Sequence, residues 1–299
     1  VALWLPVGVA IVCLLVFGAW AIPGLVAGTF MVDLPLGPST PAVALIAMGD
    51  TLAPVCAWLL LRRVGFRREL DRVRDALALI ILAGFGSMLI SGTVGCLALF
   101  AAGAVPRGRF WPTWSLWWSG DAMGVLVGVP FLLVLISARV RDLRPARWAE
   151  LALLLASTTA LATVVTTSAH HLLFLVFPPL IWAALRFGHT GAAPCVLIVS
   201  VVAATAAMEG YGPFDEYGVF GRLVTLQTFN GAVALTALLL AAMVSERDSA
   251  RRAIDRVATD LARMTEDLER GQQKNLKGVV LDLVRAQRPS APRGGGPPA

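Results

Sequence analysis

Charge is scarce in this chain. Of its 299 residues, 15% are Asp, Glu, Lys or Arg, against roughly 25% in an ordinary soluble domain. With 57% hydrophobic residues, that shortage excludes a water-soluble globular fold and points to the bilayer. Cysteine is sparse too. Cys13, Cys56, Cys96 and Cys195 each sit in an apolar segment, with no close pairing and no metal-ligand spacing, so they read as small core residues and not as a disulfide framework. Beyond Val244 the tail holds no histidine to phosphorylate and no phosphate-cradling glycine loop. Its Gly-Gly-Gly run before Pro297 has no strand or helix around it. No catalytic output domain fits there, and no enzyme activity or cofactor is expected of this chain. Val1 opens inside an apolar run without a charged n-region, so no secretory signal peptide is expected, and the natural protein has room to begin earlier.

What the chain has in plenty is apolar runs long enough to span a membrane. Candidate spans are residues 3–20, 22–32 (short), 41–61, 76–104, 111–136, 148–169, 172–185, 190–208 and 223–244. The fold class is therefore all-α: a polytopic transmembrane bundle of eight or nine hydrophobic segments followed by a cytoplasmic coiled-coil helix. The domains expected are a membrane bundle over 1–244, a signalling helix over 245–271, and a short amphipathic helix with a disordered tail over 272–299. The formal charge of +6 is a topology signal and not a nucleic-acid face, because the arginines fall between spans. The loop at 62–74 holds Arg62, Arg63, Arg67, Arg68, Arg72 and Arg74, and that at 139–147 holds Arg139, Arg141, Arg144 and Arg147. Both should be cytoplasmic. Alternation then puts eleven of the fourteen Lys and Arg residues before Ser245 inside and three outside. The acidic loop with Glu209, Asp215 and Glu216 falls outside, and the tail inside. The short segment 22–32 breaks this parity and is expected to be re-entrant or kinked at Pro23.

Within the span at 111–136 lies WWSGDAMGVLVGVP, where a carboxylate, Asp121, is set in an apolar run. Gly120, Gly124 and Gly128 recur every four residues, a stripe on which another helix can approach closely. Asp121 beside it should face protein, since a carboxylate at a helix centre costs about 2.5–3.5 kcal/mol on insertion scales. Asp50 sits at a similar place in its own span; at about 1.5 Å per residue both are roughly 14 Å deep. Gln227 and Asn230, on the last span, fall in the same outer half. We expect an outward-facing polar pocket lined by Asp50, Asp121, Gln227 and Asn230; the alternative is that each makes a local interhelical hydrogen bond. His170 and His171 read as interfacial residues with no third metal ligand near them in sequence. Arg186 should snorkel to the headgroups. Trp4, Trp111, Trp114, Trp117, Trp118 and Trp182 near span ends suggest an aromatic belt.

After Val244, Ile254, Val257, Leu261, Met264 and Leu268 recur at spacings of three, four, three and four, the seam of a two-stranded coiled coil. At under three heptads it would need dimerisation through the bundle, so a homodimer is expected. Leu276, Val279, Val280, Leu283 and Val284 form a further apolar face suited to a membrane or a partner protein.

Taken in order, several motifs resemble the first type of membrane-associated sensor domain, MASE type 1. Trp4-Leu5-Pro6-Val7-Gly8 is similar to that family's opening Trp-Pro-Pro-x-Gly, with Leu5 in place of a proline. Pro23-Gly24 with Gly28, Gly49-Asp50-Thr51-Leu52, WWSGDAMGVLVGVP, the segment PPLIWAALRFG, Gly212-Pro213-Phe214 and Leu226-Gln227-x-Phe229 follow. The resemblance covers roughly residues 1–250. It implies a sensory input role in the bacterial inner membrane, normally coupled to a kinase, cyclase or other sensory module that is absent from this sequence. Members also usually carry a further hydrophobic segment before the Trp-Pro motif. The expected partners are membrane lipid, a second copy of the chain and a signalling protein, with no nucleic acid. Two other functions fit the intramembrane aspartates. One is a small-solute transporter using Asp50 and Asp121 as proton or cation sites. The other is an aspartyl protease, which the residues preceding the two Gly-Asp pairs disfavour: Ala47 and Trp118 stand where its signature has glycine.

Overall fold

The computed structural model describes residues 3–35, 37–137, 145–168, 172–214 and 218–286. His170, His171, Arg139, Arg141, Arg144, Asp215, Glu216 and the segment 287–299 lie outside these. The described residues are helical, with no strand among them. Helices satisfy every backbone polar group internally, as an apolar solvent requires. They are α1 (Leu5–Phe17), α2 (Ile22–Asp33), α3 (Thr40–Arg63), α4 (Val73–Ala78), α5 (Met88–Ala101), α6 (Phe110–Ile136), α7 (Pro145–Thr167), α8 (Phe177–Phe187), α9 (His189–Glu209) and α10 (Val219–Ala286). Proline occupies the first turn of α1, α2, α3 and α8, where its missing N–H costs nothing. A wide π-helical stretch, Leu79–Ser87, joins α4 to α5.

Seven helical stretches among the described residues are long and apolar enough to cross a membrane, and Leu173–Phe187 is a shorter apolar one. This is fewer than the nine segments read from hydropathy, because the first two join into one 29-residue stretch, Leu5–Asp33, and the segment 172–185 is that shorter helix. That stretch is not straight. Trp4 and Asp33 line the same cavity, although a straight helix would hold them roughly 43 Å apart at about 1.5 Å per residue. The chain turns back at Gly18–Ala21, where Gly18 takes φ 64°, a conformation open mainly to glycine. The bend is therefore at Gly18 and not at Pro23, which serves as a helix start.

Helix α6 is the axis of the bundle. Every residue from Gly120 to Pro130 is buried, the mark of a helix surrounded on all sides. It packs on α1, α5 and α9. The glycine stripe receives α1, as a close-approach surface should. A Cβ on Gly8 would come within 2.8 Å of the Gly124 carbonyl oxygen, and one on Gly124 would overlap the carbonyl of Trp4. The Trp4 N–H donates to the Gly120 carbonyl at 3.3 Å. Thus the opening Trp-x-Pro-x-Gly motif and the stripe are two halves of one contact.

The first arginine loop shares one end of the bundle with His189 and the base of α10. His189 Nε2 lies 2.9 Å from the Leu70 carbonyl oxygen, and the Val73 N–H donates to Glu246 Oε2 at 2.9 Å. Gly188 lies against Ser245. Arg186 does not reach for headgroups alone: it makes a two-pronged pair with Glu150 of α7, at 2.8 and 3.0 Å. Both side chains are substantially exposed, and exposed pairs contribute little. Glu150→Gln should therefore leave the thermal unfolding midpoint of the purified protein nearly unchanged, and a large drop would show the pair to be structural.

The chain divides into two compact units, with the boundary after Arg247. In the second unit α10 continues through Gly271 to Ala286, where a break was expected. One interior glycine costs a helix only about 1 kcal/mol, and its neighbours Gln272, Gln273 and Lys274 are good helix formers.

Candidate functional site

Asp50 and Asp121 meet. Asp50 is 5% and Asp121 2% exposed, and between them stands Ser91 of α5, whose Oγ lies 2.6 Å from Asp50 Oδ1 and 2.6 Å from Asp121 Oδ2. A hydroxyl has one hydrogen to give. Ser91 can donate to only one of the two carboxyl groups at a time.

Glycines let the three helices close on this bridge. A Cβ on Gly49, beside Asp50, would come within 2.9 Å of the Val94 side chain on α5; one on Gly92 would meet Trp118 at 3.1 Å and one on Gly95 would meet Trp117 at 2.6 Å. The π-helical stretch ends four residues before Ser91, and such stretches often accompany functional sites. A backbone carbonyl within it, that of Phe85, accepts a hydrogen bond from Trp118 Nε1 at 2.9 Å.

A cavity of about 380 Å³ opens beside the bridge, lined by Asp33, Asp50, Asp121, Trp4, Trp117 and Gly120 among others. Asp33 ends α2, brought here by the reversal at Gly18. It is 6% exposed, and its Oδ2 has no hydrogen-bond partner among the described residues. The hydroxyls of Thr29 and Thr51, 3.2 Å apart, fasten α2 to α3 one turn from Asp33 and next to Asp50. Among the described residues, no three His, Cys, Asp or Glu side chains stand close enough together to hold a metal ion.

Gln227 and Asn230, expected in this pocket, do not line it. They are buried on α10, and Asn230 has no hydrogen-bond partner for its amide among the described residues. The neighbouring Gly231 faces Met123, with 3.7 Å between its would-be Cβ and the Met123 Cε. Met123 lies two residues, or about 200°, around α6 from Asp121. Helix α10 therefore packs on the far side of the central helix, against α6 and α9.

The tryptophans also divide. Trp111 and Trp182 are 70% and 60% exposed, as belt residues would be. Trp114 stacks on Trp118 at 5.7 Å and meets Trp111 at 5.9 Å, a ladder along α6, while Trp4 and Trp117 face the cavity. Ser91 and Asp33 were missed from the sequence. Ser91 did leave a signal, the small-residue spacing Ser91-x-x-x-Gly95, and Asp33 read as a loop residue just past a short segment.

The family profile of MASE1 matches residues 1–248. The chain belongs to the MASE1 family. No curated protein and no solved structure matches it. MASE1 is a membrane-associated sensory domain of signalling proteins, an input module and not a catalyst. This MASE1 chain is a multi-pass membrane protein. The match ends at residue 248, within α10 and one residue past the boundary between the two compact units.

Proposed function

We propose that the chain is the sensory input module of a bacterial inner-membrane signalling system, and that the cavity at Asp33, Asp50 and Asp121 is where it detects a small molecule. One observation carries this reading. The acidic bridge and helix α10 lie on opposite faces of the same central helix. A ligand that binds two states differently, by turning or tilting α6 at Asp121, would be felt at Met123 against Gly231 and so in the helix that leads out of the bundle. The contact of the first arginine loop with the base of α10 supports a cytoplasmic C-terminus.

In the tail, Ile254, Val257, Leu261 and Met264 are 58–68% exposed in the single chain; the side chain of Leu268 lies outside the described residues. Their coiled-coil spacing supports pairing with a second copy. The test joins a diguanylate cyclase reporter after Ala299. Output should differ between fresh minimal medium and the same medium conditioned by a dense culture. Asp121→Asn, at equal membrane level, should lose that difference. A response in the variant equal to the wild type would remove the cavity from the mechanism. Three buried carboxylates around one cavity also suit a cation-coupled transporter. Solute-driven proton entry into proteoliposomes, without any reporter response, would favour that second reading.

A further inference from the structure

The chemistry of the cavity narrows what it can bind. Its wall carries three carboxyl groups from three helices, and among the described residues no lysine, arginine or histidine lines it. The charged side chains that the described residues bring to this wall are all acidic, which disfavours an anion. Asp33 supplies a buried acceptor atom, Oδ2, with no partner among the described residues, and a buried carboxylate in that state is costly unless something donates to it.

The placement of the acidic groups goes further. The acidic groups of the wall fall in two places: Asp33 at the end of α2, and Asp50 and Asp121 joined through Ser91. Among the described residues no three acidic side chains stand close enough together to hold a metal ion. The wall also carries Ile46, Leu99 and Leu116, and Trp4 and Trp117. Aromatic faces attract cations. At about 380 Å³ the space lies near the low end of the range of roughly 300–1,000 Å³ for small-molecule pockets.

We propose that this cavity binds a compact organic dication: two ammonium groups on a short apolar spacer, one held by Asp33 and the other by the Asp50–Ser91–Asp121 bridge. This rests on the sensory reading of the same cavity but can fail separately from it.

The test uses the purified full chain in lipid nanodiscs, with 1,4-diaminobutane as the probe and 1-aminobutane and potassium chloride as comparators, followed by calorimetry and by tryptophan fluorescence. The diamine should bind saturably, at least tenfold more tightly than the monoamine, and quench the cavity indoles. Asp33→Asn, which keeps the side chain's shape, should lose at least tenfold in diamine affinity while binding the monoamine as before. Equal affinity for the two amines in the wild-type protein overturns the proposal, whatever the variant does, and so does unchanged diamine affinity in Asp33→Asn. If no amine binds but Asp121→Asn still abolishes the reporter response, the ligand class is wrong and the sensory site stands. If the diamine binds as described but leaves the reporter silent, the ligand class stands and the sensory reading falls.

Discussion

Gly124→Ala should destabilise the bundle severely, and Gly128→Ala, one turn further along the same stripe, should barely affect it. The difference lies in what each added methyl meets. At Gly124 it would run into the backbone carbonyl of Trp4; at Gly128 the nearest atom is the Gly8 Cα at 3.4 Å, an ordinary contact. Backbone cannot swing aside as the tip of a side chain can, so α1 would have to move away from α6. Forced overpacking of this kind costs about 1–3 kcal/mol, a large part of a typical stability of about 5–15 kcal/mol. The displacement would also break the Trp4 to Gly120 hydrogen bond and shift Trp4 in the cavity wall. For Gly128→Ala, a gain in helix propensity of up to about 1 kcal/mol opposes any small repacking loss. Thermal unfolding of the two variants in the same detergent decides the matter. Similar midpoints would mean that the stripe is not the contact on which α1 depends.

The stripe was legible in the sequence because four-residue spacing on a helix defines a face without reference to anything else in the fold. The burial of Asp121 followed from it. What could not be read was azimuth between helices. Counting residues from the membrane surface places Asp50, Asp121, Gln227 and Asn230 at similar depth, yet depth says nothing about which side of α6 each approaches. Two of the four are joined through Ser91, while the other two are carried by a helix behind it. Asp33 was lost for a different reason. A hydropathy window cannot see a reversal made by one positive-φ glycine, so the return of α2 to the cavity was invisible, and with it the third carboxylate. On α3 a patterned face was readable in principle: Leu45, Met48, Leu52 and Leu59 are exposed while Ile46, Asp50, Ala53 and Ala57 are buried. Asp50 lies on the protein side of that helix, opposite its apolar outer stripe.

A single residue inserted after Ala250 should uncouple input from output in a reporter fusion, and seven residues inserted at the same place should restore coupling. One residue turns everything downstream by about 100°, whereas seven turn it by about 700°, within roughly 20° of the original direction. The seam residues Ile254, Val257, Leu261 and Met264 all lie beyond that point. A one-residue shift carries this stripe away from the register set by the bundle, and a seven-residue shift returns it at the cost of one added heptad. The insertion site lies outside the matched family region, 1–248, and beyond the bundle unit that ends at Arg247, so cavity and core are left intact. The readout is the ratio of reporter output in conditioned to fresh medium at equal membrane level. A ratio near one for the single insertion and near the wild-type value for the seven-residue insertion means that helix register carries the signal. Retention of the full ratio after the single insertion would mean that the tail tethers the output without steering it. The Glu246 contact to Val73, which joins the first arginine loop to the base of the same helix, would then become the place to look for transmission.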